Sequence, residues 1–399
     1  MDGPSRHRLG VYLHPDDLTW LEQRGGLPAL RALGCTDVAF AASYHAGRWT
    51  TPVPGGSLVR FLEDGVVYFR PGDDYEELRP HRHSSVPPTG ATPFDRCIDA
   101  ARAAGLECHA WTVLFHNSPL GRAHRESCVE NAVGDHYEYS LCPARPEVQA
   151  FGARLVRDVA AHPGLDVVEV EAMGFLGYRH GSHHDKRSIA PDPYLDFLLS
   201  YCFCEHCLAG LQGNLVDGTA VRRMVADLLH QQLVDGDAME PQQLGWQQSF
   251  DRLAAALGRR SLLGMLRHRT LVYTGLLASL RAQLPAGVRL SVHLNMDPLF
   301  SGSQLGLPFD AVTGHVDEIV VTHYGETPTR MAEMWRGQQG RGARTRVAIW
   351  PKAPEFTTDR DLIAVLNLVE EWHLDGVRVY HPALLPWRTV ERVLRVLSS

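Results

Sequence analysis

Two glutamates two residues apart, in Val167-Val168-Glu169-Val170-Glu171, carry the sharpest chemical signal in the chain. Residues at that spacing on a β-strand share one face, so both acids point the same way from an otherwise valine strand. Glu171 would stand at the rim and Glu169 one layer deeper. An inward face is expected, because acids turned toward an apolar helix layer are costly to bury. Burial raises a carboxyl pKa, which suits a general acid near neutral pH. Just downstream, His180-Gly181-Ser182-His183-His184-Asp185-Lys186 groups three imidazoles with an ammonium. We read His183 and His184 as substrate contacts, since further ligands for a catalytic metal have no evident place.

Three of the eight cysteines fall in Cys202-Phe203-Cys204-Glu205-His206-Cys207. In a reducing compartment such crowding points to metal before disulfides, and the Cys-x-Cys-x-x-Cys spacing suits tetrahedral zinc. The fourth ligand is open between Cys142, which precedes Pro143 and is favoured, and Cys128 or His206. Four protein ligands would make the zinc structural. No organic cofactor is expected.

These groups need a scaffold. Eight β-rich runs recur, at Leu9–Leu13, Asp37–Ala42, Leu106–Val113, Asp166–Val170, Val288–His293, Glu318–Thr322, Arg346–Trp350 and Gly376–Tyr380. Amphipathic helical stretches separate most of them, and Gly34, Gly105, Gly164 and Gly287 follow helices where a left-handed cap is wanted. Alternating strands and helices imply βαβ units, and eight imply an α/β fold of the closed (β/α)8 barrel type. The 399 residues fit one such domain, 1–399, with long βα loops and a helical insertion over 208–260.

Polar and aromatic side chains gather at the carboxyl ends of the strands, where barrels build active sites. They are Tyr44 and His45, then His116 and Asn117, then Asn295 and Asp297, then His323 and Tyr324, then Trp350 and Lys352, and finally Tyr380. Trp111 lies within the third strand. Aromatic faces stack on pyranose rings while carboxylates, His and Asn bind hydroxyls, so a carbohydrate site is the expectation.

The acid-bearing fourth strand, Cys142-Pro143 before a helix, and Tyr201-Cys202-Phe203-Cys204-Glu205-His206-Cys207 together resemble the β-galactosidases of glycoside hydrolase family 42 and related uncharacterised barrels. The resemblance covers roughly residues 141–207. It implies Cys142, Cys202, Cys204 and Cys207 as ligands of a structural zinc and Glu171 as general acid. It also makes His323-Tyr324 similar to the pair that the wider clan keeps after strand six. Two departures stand out. Val170 replaces the asparagine before the acid, and the seventh strand ends Trp350-Pro351-Lys352 where the clan places its nucleophilic glutamate. Glu355, Asp297 and Glu326 are the alternative carboxylates.

Composition narrows the partners. Hydrophobic residues are 44%, charged residues 21%, and the formal charge is −7, which favours neither nucleic acid nor an anionic membrane. The polar start of the chain and the lack of any long apolar run make the cytoplasm the expected address. The loops and added helices offer surface for a homo-oligomer. The expected substrate is a small glycoside. The alternatives are an isomerase, epimerase or lyase using Glu171 and Lys352, and a carbohydrate-binding barrel without turnover. Only two lysines occur, Lys186 and Lys352, which draws attention to the second.

Overall fold

The computed structural model describes residues 7–52, 57–179, 186, 192–236, 245–336 and 343–399. Eight parallel strands close on themselves: β1 (Arg8–Leu13), β2 (Asp37–Tyr44), β3 (Glu107–Val113), β4 (Val167–Glu171), β5 (Arg289–Asn295), β6 (Glu318–His323), β7 (Arg344–Ile349) and β8 (Gly376–Val379). Closure comes from β1, which pairs with β2 on one side and β8 on the other. The helices between and after them are α1 (Gly26–Ala32), α2 (Pro93–Ala103), α3 (Pro146–Ala160), α4 (Arg259–Arg281), α5 (Phe309–Thr313), α6 (Pro328–Trp335), α7 (Asp359–Glu371) and α8 (Trp387–Leu397). All eight expected strands are present. Among the described residues, no helix is long and apolar enough to cross a membrane.

Local chemistry sets the element ends. Helix α2 starts at Thr92, whose side chain accepts from the Asp95 amide while Asp95 reaches back, with Pro93 in the first turn. It stops before Gly105, whose φ of 68° is the left-handed geometry that ends a helix. Helix α3 buries Val148, Phe151, Leu155, Val156 and Val159 on the stripe that faces the barrel.

The long connection after β4 carries a helical lobe that begins earlier than residue 208. Helices Pro193–Ser200, Glu205–Gly213, Gly218–Leu233 and Trp246–Leu257 enclose their own apolar core around Phe197, Leu198, Val225 and Leu253, against Leu262 and Met265 of α4. The connection after β2 contains a hairpin, Gly47–Thr50 against Val59–Leu62, which the sequence pattern did not reveal.

Barrel interiors are usually filled by branched apolar side chains. This one holds a buried layer of ions. Arg378 on β8 bonds Asp37 on β2 (2.5 Å) and Glu169 on β4, and Arg346 on β7 bonds Asp37 (2.8 Å) and Glu318 (3.3 Å). Asp37, Glu169, Arg346 and Arg378 are fully buried. Gly10, in register with both Asp37 and Arg378, leaves room for them, since a Cβ there would strike the Asp37 carboxylate. Desolvating such charges costs several kcal/mol each, so the layer is stable only while every member keeps its partners. Arg378→Met would leave Asp37 to Arg346 and deprive buried Glu169 of its guanidinium, and should cost about 3–5 kcal/mol of unfolding free energy in urea denaturation. A loss below about 1 kcal/mol would show the network to be dispensable.

Candidate active site

Glu169 contacts β1, β3, β5 and β8, which is possible only from inside the barrel. Its Oε1 accepts from the Tyr12 hydroxyl (2.5 Å) and lies 2.8 Å from His293 Nε2, while Oε2 meets Arg378 and lies 3.2 Å from His109 Nδ1. Both acids of β4 therefore look inward, as their spacing requires. The expectation that burial would raise the deeper carboxyl is corrected, however. Burial does oppose its ionisation, but the Arg378 guanidinium, with His109 and His293, holds Glu169 well below the usual carboxylate range. Glu169 is an ionised anchor.

Glu171, one layer up, is partly exposed at the barrel mouth. Its Oε2 accepts from the Trp111 indole (2.6 Å) and lies 3.8 Å from His293 Nδ1. Tyr12, Tyr44, Tyr324 and Tyr380 surround it closely enough that its charge, added to burial, raises their phenol pKa values. Tyr44 and Tyr380 hydroxyls are 3.3 Å apart, and the Tyr380 ring packs against Tyr324 (4.8 Å) and Trp350 (5.7 Å). Trp111 and Tyr44 are buried beneath the opening, so they orient Glu171 and the ring cluster. Tyr324, Trp350 and Tyr380 are the part-exposed aromatic faces. His45 stacks between Tyr44 (4.3 Å) and His116 (4.1 Å).

The remaining expected residues divide. Asn295 and Tyr324 line a cleft of about 340 Å³ with Arg179, Gln304, Thr322 and Glu326, a size within the ~300–1,000 Å³ common for small-ligand sites. A hollow of about 430 Å³ lies outside the barrel, between α1 and α2, and shares none of these residues. Asn117 is spent on the fold: its side chain caps helix Ser118–Ala123 through the Leu120 amide (3.0 Å) and donates to Gly65 O (3.2 Å). His323 also departs from expectation. On β6, Glu318 faces inward to Arg346, so His323, five residues on, faces the helices, where its Nε2 accepts from Trp335 of α6 (3.0 Å). His183 and His184 lie outside the described residues.

The further carboxylates are likewise placed. Asp297 accepts from the Leu299 amide (2.9 Å), and burial, with Asp196 nearby, raises its pKa. Glu326 is raised by burial too. Glu355 pairs with Lys352 (3.2 Å), whose ammonium sits 4.7 Å from the Trp350 ring centre. Lys352 has about a third of its side chain exposed (34%), so it lacks the desolvation that an amine nucleophile needs.

His293 and His14 went unnoticed in the sequence, whereas His381 was legible as the polar end of the eighth strand. His293, between Glu169 and Glu171, was legible only as the inward alternation Arg289-x-Ser291-x-His293. His14 and His381, both fully buried beside Trp49 of the hairpin, line the opposite side of the mouth.

The cysteines converge. Cys142 Sγ lies 3.6 Å from Cys202, 3.7 Å from Cys204 and 3.8 Å from Cys207, and all four are buried and unbridged. Zinc–sulfur bonds of about 2.3 Å place tetrahedral ligands about 3.8 Å apart, so the four thiols could hold that ion. Cys142 precedes α3, and the other three belong to the lobe.

Neither a protein-family model nor a curated protein matches this chain. Solved structures share its fold. The glycoside hydrolase domain of PgaB (BpsB) from Bordetella bronchiseptica aligns with a TM-score of 0.58 at 14% identity, covering 98% of each chain. A β-galactosidase from Marinomonas ef1 (0.52, 13%) and an α-L-fucosidase from Paenibacillus thiaminolyticus (0.51, 12%) align over 94% and 98% of this chain. The chain spans about half of those two, 54% and 49% of their lengths. The closed (β/α)8 fold is thus one that this chain shares with these three glycoside hydrolase structures.

Burial also drives His323 down to about 3 and His381 to about 4. In the unfolded chain each takes its proton near pH 6.5. Only the unfolded state binds the proton below that value, so stability is full above about pH 6.5 and declines as the pH falls toward 4. His323→Gln keeps an acceptor for Trp335 and cannot titrate. Unfolding free energies measured from pH 6.5 to 4 should show a slope smaller by up to about 1.4 kcal/mol per pH unit; an unchanged slope would mean that His323 is charged in the folded protein.

Proposed function

We propose that this chain is a carbohydrate-active hydrolase that cleaves a small glycoside, with Glu171 as general acid. The supporting observation is the Glu171 carboxyl, fixed by the Trp111 indole at the mouth of the barrel among part-exposed aromatic rings. Glu171 would give its proton to the leaving oxygen, while Tyr324, Trp350 and Tyr380 would stack on the sugar and Asn295 would bind a hydroxyl. Glu355 and Asp297 are the candidates for the second carboxylate. A hydrogen bond from its own backbone amide, together with the Lys352 ammonium, keeps Glu355 below the ordinary range, whereas burial raises Asp297.

One observation favours a second reading, a sugar-binding barrel without turnover: β7 ends in Trp350 and Lys352 where a nucleophilic carboxylate would be needed. The isomerase, epimerase or lyase alternative, with Lys352 as an amine nucleophile, loses support from the exposure and ion pairing of Lys352. A panel of aryl and natural glycosides separates these readings. Glu171→Gln should lower kcat/KM by about 10²–10⁴-fold while retaining sugar affinity by calorimetry. Full activity in the variant would remove Glu171 from the chemistry, and binding without turnover in the unmodified protein would establish the second reading.

We also propose a structural zinc on Cys142, Cys202, Cys204 and Cys207, joining the lobe to the β3–α3 connection. The purified protein should carry about one zinc per chain, and Cys204→Ser should lose most of it together with thermal stability. Undiminished zinc in that variant would refute the assignment.

A further inference from the structure

We propose that His293 and Glu171 hold one proton between them, which makes His293 the positioning residue that keeps Glu171 ready to donate; this rests on the reading of Glu171 as general acid. His293 stands on β5 with 1% of its side chain exposed. One ring edge is committed: Nε2 lies 2.8 Å from Glu169 Oε1 and 3.1 Å from the Tyr12 hydroxyl. Because Glu169 is held ionised by Arg378, it can only accept, so Nε2 carries the hydrogen. The neutral ring therefore turns a lone pair at Nδ1 toward Glu171. That atom is buried without a hydrogen-bond partner, 3.8 Å from Glu171 Oε2.

A movement of about 1 Å closes that gap to hydrogen-bond length. Two arrangements of one proton then exchange. In the first, Glu171 is a neutral acid donating to Nδ1. In the second, the O–H bond has broken, an N–H bond has formed, and a carboxylate faces an imidazolium at unchanged total charge. The groups facing His293 are Glu169 and Glu171 from β4, Tyr12 from β1 and Arg378 from β8. Burial and Arg378 oppose a charged ring, whereas Glu171 and Glu169 favour it, and the balance lies above the ordinary imidazole value. Such a pair titrates as a unit and keeps one proton across the interval between its two macroscopic pKa values.

Imidazole ¹⁵N spectra of the full chain test this without any substrate. His293 should show a protonated Nε2 throughout, with Nδ1 as the titrating atom. Its midpoint should fall by at least about one pH unit, a tenfold change in proton affinity, in Glu171→Gln, which leaves His293 in place. A midpoint insensitive to Glu171→Gln, or a hydrogen resident on Nδ1 at every pH, would overturn the proposal. Where turnover is measured, His293→Asn should move the alkaline limb of kcat/KM to lower pH by a similar amount, and an unmoved limb would count against the pair. A protein that turns over no glycoside, yet shows the coupled midpoint, would refute the hydrolase reading and leave the shared proton standing.

Discussion

Arg378 sits at the centre of the barrel and binds carboxylates of β2 and β4 at once. Its guanidinium is buried completely, as are Asp37 and Glu169. Charges so far from water survive only with partners in good geometry, and each partner here belongs to a different strand. The pairings therefore constrain the barrel's interior and its chemistry together. Ionising Glu169 gives Tyr12 and the His293 Nε2 edge a fixed acceptor, and that fixes which face His293 presents to Glu171.

The layers above follow from this base. Strand parity lifts Glu171 two residues beyond Glu169, to the level where β3 supplies Trp111, and the tyrosines of β1, β2 and β8 close around it. Around that carboxyl stand the indole that donates to it, four neighbouring phenols and, 3.8 Å away, the Nδ1 of His293. The arrangement separates two acids of one strand by depth. The deeper is held as an anion by a cation, and the shallower stands part-exposed at the mouth. The lobe after β4 adds a wall anchored by its own apolar core, and the four cysteines meet where that lobe approaches α3.

Much of the fold was legible because its signals repeat: each strand is a short run rich in β-forming residues, and glycines such as Gly105 punctuate the helix ends. The direction of Glu169 and Glu171 was legible from parity alone. Their protonation was not. The cation that decides it, Arg378, stands 209 residues away in sequence, and a local pattern of apolar neighbours suggests the opposite shift. Parity, applied to β6, would also have turned His323 outward, since Glu318 and Thr322 take the inner face. The motif pair His323-Tyr324 hid this, because Tyr324 lies past the strand end, where it reaches the mouth. Asn117 was misread for a related reason: an asparagine just before Ser118-Pro119 is an N-cap first. The lobe's first helix, Pro193–Ser200, was passed over as part of a loop.

Whether Glu171 hands a proton to a departing sugar oxygen is read from the dependence of rate on leaving-group acidity in Glu171→Ala. For a series of aryl glycosides, loss of the acid should hardly affect leaving groups that depart as stable anions and should slow basic ones progressively, giving a steep dependence where the unmodified protein has a shallow one. An equal loss across the whole series would show that Glu171 is not the proton donor.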